Sequence, residues 1–147
     1  MTLTDLVVGW QWNLPPSQLR LPDNVREFQL PAEFQPQGGI DHLRLPLTLT
    51  RLQFGSTCEW PCLAQWAKEL HNLYVGMFDM PLHPLSFPSE SALRYLHLGF
   101  WFDKPLTAVR WPTSLTHVIL SARFAQPLQD GDLPRTLRVL DMSRCRR

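Results

Sequence analysis

Long apolar runs are missing from this chain of 147 residues, and none approaches the roughly 20 residues needed to cross a bilayer. Charge of one sign is also missing: the formal net charge is +1, which argues against a nucleic-acid or membrane-surface protein with a strong basic excess. Cysteine is scarce and odd in number, at 3, so no paired disulfide framework suggests itself and a reducing, intracellular and cytoplasmic setting is expected. The start, Met1-Thr2-Leu3-Thr4-Asp5, lacks the basic and apolar regions of a secretory signal. There is no Gly-rich phosphate loop, no Gly-x-Ser-x-Gly and no His-Glu-x-x-His, and the acidic residues show no recurring pair at catalytic spacing. Nothing in the sequence therefore asks for an enzyme, a metal or a cofactor.

What is abundant is proline, with 14 residues, alongside 6 tryptophans. Hydrophobic residues make up 44% and charged residues 18%, a balance that folds rather than stays disordered. The prolines recur because the chain repeats. The pattern apolar-x-x-apolar-x-apolar begins at Leu3, Val25, Leu49, Leu70, Leu93, Leu115 and Leu137, in steps of 21 to 24 residues. Six residues after each start comes a turn-former or small residue: Gly9, Pro31, Gly55, Gly76, Gly99, Ser121 and Ser143. A little further on sits an aromatic in five copies, Trp12, Phe34, Phe78, Phe102 and Phe124, with Cys58 in the third. An apolar-Pro pair precedes most copies: Leu21-Pro22, Leu45-Pro46, Phe87-Pro88, Trp111-Pro112 and Leu133-Pro134.

Each x-apolar-x centre reads as a short strand, since side chains alternate across a strand. One turn alone cannot hide its apolar residues, but stacking the next turn on it can, with strands pairing in parallel. The expectation is a leucine-rich-repeat-like solenoid: about seven short turns, one parallel β-sheet, and little helix because proline interrupts every turn. The one stretch open to a short helix is Cys62–Leu70, free of Pro and Gly. No linker is visible, so residues 1–147 read as a single repeat domain. Strands are expected near Thr4–Val7, Arg26–Gln29, Thr50–Gln53, His71–Tyr74, Arg94–His97, Thr116–Ile119 and Arg138–Asp141.

The pieces Phe78-Asp79-Met80-Pro81-Leu82, Phe102-Asp103-Lys104-Pro105-Leu106 and Phe124-Ala125-Gln126-Pro127-Leu128 resemble the FNIP repeat, a leucine-rich-repeat relative. So does Leu133-Pro134-Arg135-Thr136-Leu137-Arg138-Val139-Leu140, which looks like that family's entry into a strand. The Trp12-Asn13-Leu14-Pro15 copy keeps the signature's Asn, with Trp in place of Phe. The resemblance covers the chain best from about Leu70 onward. It implies a repeat module that binds proteins.

The residues aimed away from the core form two ladders. One reads Asp5, Glu27, Arg51, Asn72, Tyr95, His117, Val139; its neighbour reads Val7, Gln29, Gln53, Tyr74, His97, Ile119, Asp141. Arg51, Asn72, Tyr74, Tyr95, His97 and His117 fall on adjacent turns and form the candidate binding patch, tyrosine being an amphipathic contact with a polar tip. The bland alternative is that these rings only stabilise one another across strands. Cys58 and Cys62 read as structural thiols, Trp66 and Trp111 as core, and Trp10 and Trp101 as half-exposed on the rim. The outermost copies lack polar caps. A protein partner, end-to-end self-association or a larger complex is therefore expected, with no nucleic acid and no membrane insertion. A structural subunit of an assembly is the rival to an interaction module, and an enzyme of unknown type comes third.

Overall fold

The computed structural model describes residues 3–9, 19–30, 45–54, 70–76, 79–82, 87–88 and 90–145. Seven strands appear in chain order: β1 (Asp5–Val7), β2 (Glu27–Gln29), β3 (Arg51–Phe54), β4 (Asn72–Val75), β5 (Tyr95–Leu98), β6 (His117–Leu120) and β7 (Val139–Asp141). They form one sheet in sequential order, with every neighbouring pair parallel. Among the described residues there is no helix. The protein is a repeat solenoid, with one strand per coil.

Register follows the sequence pattern residue for residue: Tyr95 aligns with His117 and Leu96 with Val118. The strands begin one residue later than the pattern suggests, for a reason that repeats. In each coil two consecutive N–H groups reach back to one carbonyl of the coil before it. Arg94 and Tyr95 both donate to the His71 carbonyl, at 2.9 and 3.0 Å, and Thr116 and His117 both donate to that of Arg94, each at 3.0 Å. The regular ladder starts only beyond this shared acceptor.

Behind the sheet the apolar positions close into a continuous core. Leu52, Leu73, Leu96 and Val118 form its central row, and Val25, Leu49, Leu70, Leu93 and Leu115 the row at the strand entrances, all buried. Phe102 and Phe124 fill the aromatic slot and stack with ring centroids 6.1 Å apart. Such a pair adds about 0.5–1.5 kcal/mol beyond its buried area. Trp111 packs on Phe87 at 5.7 Å in the position before proline, as expected, and its indole N–H donates to the Asp132 carbonyl at 2.7 Å. The prolines open tight turns: the carbonyls of Pro22, Pro46, Pro112 and Pro134 accept from the N–H three residues on, at 3.0–3.1 Å. Pro has no N–H to leave unpaired at such a corner.

Two polar ladders tie the coils together, one just before the strands and one further round each coil. The Ser114 hydroxyl lies 2.6 and 2.7 Å from the carbonyls of Ser91 and Leu93, Thr48 reaches the Val25 carbonyl at 2.9 Å, and Thr136 that of Leu115 at 2.8 Å. Asp103 accepts from the Ala125 N–H at 3.0 Å and the Gln126 amide at 2.9 Å, while Asp79 accepts from Lys104 at 3.1 Å. These bonds, led by the Ala125 N–H, hold the Asp103 carboxyl below its ordinary pKa.

Gly99 follows β5 where one coil presses on another. A Cβ there would overlap the Val75 carbonyl oxygen and the Gly76 backbone. Ser121 occupies the same place in the next coil and is buried. The expectations placed on Trp10, Trp12, Pro31, Phe34, Gly55, Cys58, Cys62, Trp66, Phe78 and all but Leu70 of the possible helix at 62–70 lie outside the described residues.

Candidate binding face

The two outward ladders exist as the pattern drew them. Asp5, Glu27, Arg51, Asn72, Tyr95, His117 and Val139 are in register across all seven strands, as are Val7, Gln29, Gln53, Tyr74, His97, Ile119 and Asp141. Alternation forces this, because Leu73 and Val75 of β4 point into the core and leave Asn72 and Tyr74 outside. The same holds for Tyr95 and His97 of β5.

Five of the six candidate residues touch in sequence. The Arg51 guanidinium lies over the Tyr74 ring, 4.8 Å from its centroid, and pairs with Glu27 at 3.4 Å. Tyr74 meets Tyr95 at 5.5 Å and the edge of His97 at 6.0 Å. Tyr95 stacks on His117 at 5.7 Å with the planes 23° apart. The sixth, Asn72, aligns with Arg51 on one side and Tyr95 on the other, and its side chain holds no hydrogen bond among the described residues. The six are half-buried together. Ring faces are thus largely turned on one another, while the tips stay open: neither tyrosine hydroxyl is bonded to a described residue.

The histidines are held from the side. His97 Nε2 lies 2.9 Å from the Ser121 hydroxyl, and His117 Nδ1 2.8 Å from that of Thr116. Burial pushes the His97 pKa below its ordinary value; Arg144 acts in the same direction and Asp141 against it. Burial raises the Tyr95 pKa, helped by Tyr74 and Asp141 and opposed by Arg51. Asp141 itself is held low by the Ser143 hydroxyl and N–H, the latter 2.9 Å from Oδ1. Toward β1 the face has a depression of about 200 Å³ lined by Asp5, Val7, Glu27, Gln29, Arg51 and Gln53 among others.

Among the described residues no group of three or more His, Cys, Asp or Glu is placed to hold a metal. Cys145, the one described thiol, directs Sγ at the carbonyls of Leu120 and Ser121, at 3.5 and 3.4 Å, and burial raises its pKa. Trp101 is half-exposed on the rim, its ring covered by the Arg123 guanidinium at 3.7 Å and edged by Phe100 at 5.6 Å.

Sequence reasoning passed over a third row beside the face. The first residue after each pattern start gives Thr4, Arg26, Thr50, His71, Arg94, Thr116 and Arg138 at the strand entrances. The signal was present in the repeat, one position ahead of the ladder that was read. Ser121 was counted only as a turn residue, yet it fixes His97.

The chain matches no known family model and no curated protein. Among the described residues no helix is long and apolar enough to cross a membrane.

Proposed function

We propose that this protein is a non-catalytic interaction module that binds a partner protein through the open face of its sheet. The observation that supports this most is the contact chain Arg51–Tyr74–Tyr95–His117, with His97 against its flank. Rings already pressed together lose little freedom when a partner settles on them, and hydroxyl and imidazole tips at their edges supply direction. Tyrosine and arginine are also the residue types that dominate binding hot spots. In this reading the repeat is FNIP-like, supported by the Phe-Asp-Lys-Pro-Leu and Leu-Pro-Arg-Thr-Leu pieces, whose side chains form the Asp103 and Thr136 ladders. We place the protein inside the cell, in keeping with its scarce cysteine.

Affinity capture with the wild type and a Tyr95→Ala variant tests the reading. Partners retained by the wild type and lost from a folded Tyr95→Ala variant are the expected result. Capture unchanged by that substitution, while stability falls by several kcal/mol, would make the rings purely structural. A second reading is a fixed subunit of a larger assembly, favoured by the exposed Leu3, Val7 and Val139 of the outermost coils. It would return one stoichiometric complex rather than a set of clients.

A further inference from the structure

We propose that the face and its entrance row take an acidic segment of the partner, lying extended across the strands. The inference rests on the sheet-face reading and adds the partner's chemistry. The entrance row holds Arg26, His71, Arg94 and Arg138 and no carboxylate. All three arginines are exposed, and none is ion-paired among the described residues.

The adjoining face has acids of its own, each with one carboxylate oxygen already engaged. Asp5 accepts from the Thr4 hydroxyl at 2.7 Å, Glu27 from Arg51 at 3.4 Å, and Asp141 from the Ser143 N–H at 2.9 Å. Donors remain uncommitted. The Tyr74 and Tyr95 hydroxyls and the Asn72 amide have no hydrogen-bond partner among the described residues, and Arg51, though it lies over the Tyr74 ring, makes only one long hydrogen bond, to Glu27. An exposed arginine row without carboxylate partners, beside the Arg51, Tyr74, Tyr95 and Asn72 donors, favours a ligand rich in acceptors. Arginine's planar fork matches carboxylate in particular.

The shape of the row defines the segment. Parallel strands lie about 4.8 Å apart, so Arg26 to Arg94 spans three steps, roughly 14 Å, and Arg94 to Arg138 two steps, roughly 10 Å. At about 3.3 Å per residue, an extended peptide meets these arginines with acidic residues about four and then three positions apart. Nucleic acid fits the face less well. Base stacking needs open ring faces, and Tyr95 has Tyr74 and His117 against its ring.

The test is fluorescence anisotropy with a labelled ten-residue peptide of serine and glycine carrying three glutamates at those spacings. Its glutamine analogue, its lysine analogue and a twelve-nucleotide oligothymidylate are the comparison probes. The expected result is binding of the glutamate peptide alone, weakening as salt is raised. Affinity should fall about tenfold or more in an Arg26→Gln/Arg94→Gln/Arg138→Gln variant. It should stay within about twofold in Arg20→Gln/Arg110→Gln/Arg135→Gln, which removes the same charge from exposed positions off the row. Circular dichroism establishes that both variants are folded. No binding of the glutamate peptide, equal loss in both variants, or tighter binding of the lysine peptide or oligothymidylate overturns the proposal. Partners captured by the wild type and lost on Tyr95→Ala, with no acidic-peptide binding, would leave the sheet-face reading standing and remove only this one.

Discussion

The coil of β5 and the coil of β7 are written with the same pattern, Leu93-Arg94-Tyr95-Leu96-His97-Leu98 against Leu137-Arg138-Val139-Leu140-Asp141-Met142, and end in different environments. Leu93, Leu96 and Leu98 are all 0% exposed, whereas Leu137, Leu140 and Met142 are only half-buried and Val139 is 43% exposed. The β1 coil resembles the β7 coil: Leu6 and Val8 are half-buried and Leu3 is 47% exposed. Identical local instructions thus yield full burial only where a coil has described neighbours on both sides. In a stack, the stabilisation of an apolar side chain belongs to the interface between coils rather than to the coil that contributes it.

The largest expected effect comes from truncating the central row. Leu96→Ala should cost about 2–5 kcal/mol, through lost transfer energy and the cavity left between β4 and β6. Leu140→Ala, at the equivalent position in β7, should cost less than half as much. Urea denaturation of both variants decides the point, and equal losses would mean that another surface covers β7 in solution.

Glycine gives a second contrast at one repeat position. Gly99→Ala forces a methyl group into the Val75 and Gly76 backbone and should cost about 1–3 kcal/mol, of the size found for overpacked cores. Gly9→Ala meets nothing within 4 Å and should be neutral or stabilising by a few tenths of a kcal/mol. Thermal melts of the two variants side by side read the difference.

The hydroxyl ladder comes next. Ser114→Ala removes a donor placed near two carbonyls and should cost about 0.5–1.5 kcal/mol by chemical denaturation. Thr136→Val, with one carbonyl contact and a more exposed site, should fall at the low end of that range.

The smallest effect is a pH dependence carried by the β5 coil. Burial holds His97 below the ordinary value of 6.5, so the unfolded chain binds the proton more readily than the folded one. Stability is therefore unaffected well above pH 6.5 and declines as pH falls through that value toward the lower folded pKa. His97→Gln should flatten the change in melting temperature between pH 7.5 and 5.5. Asp103 works lower on the scale: its contribution is present above the ordinary carboxylate value and is lost as pH falls through its depressed folded pKa.

Much of this was readable beforehand because a strand needs only three or four residues to declare its two faces. Leu93, Leu96 and Leu98 predict their own burial, and a fixed pattern start then sets register across all the strands. The stacking of Phe102 on Phe124 follows from the recurring aromatic slot, and the placement of Tyr95 beside His117 from the ladder. What escaped lies where the backbone leaves that two-residue alternation. The bond from Ser121 to His97 joins a turn to a neighbouring strand, and sequence gives no distance between the two. The arginine row was missed because its residues precede the regular ladder, at the carbonyls that accept two N–H groups and shift each strand start by one.

That shared carbonyl bears on how such a protein changes length over time. Each coil is locked to its predecessor by a short segment around the strand, while the return path absorbs differences: successive starts are 21 to 24 residues apart without any break in pairing. Small insertions in the return path are therefore tolerated. A duplication of Leu93–Ser114 adds one whole step to the stack and one more rung to every ladder, leaving all later contacts intact. A duplication of half that length would put polar residues where leucines belong. The heritable unit of growth is set by the spacing of a hydrogen-bond junction, and the binding face can be lengthened or shortened only in whole steps of it.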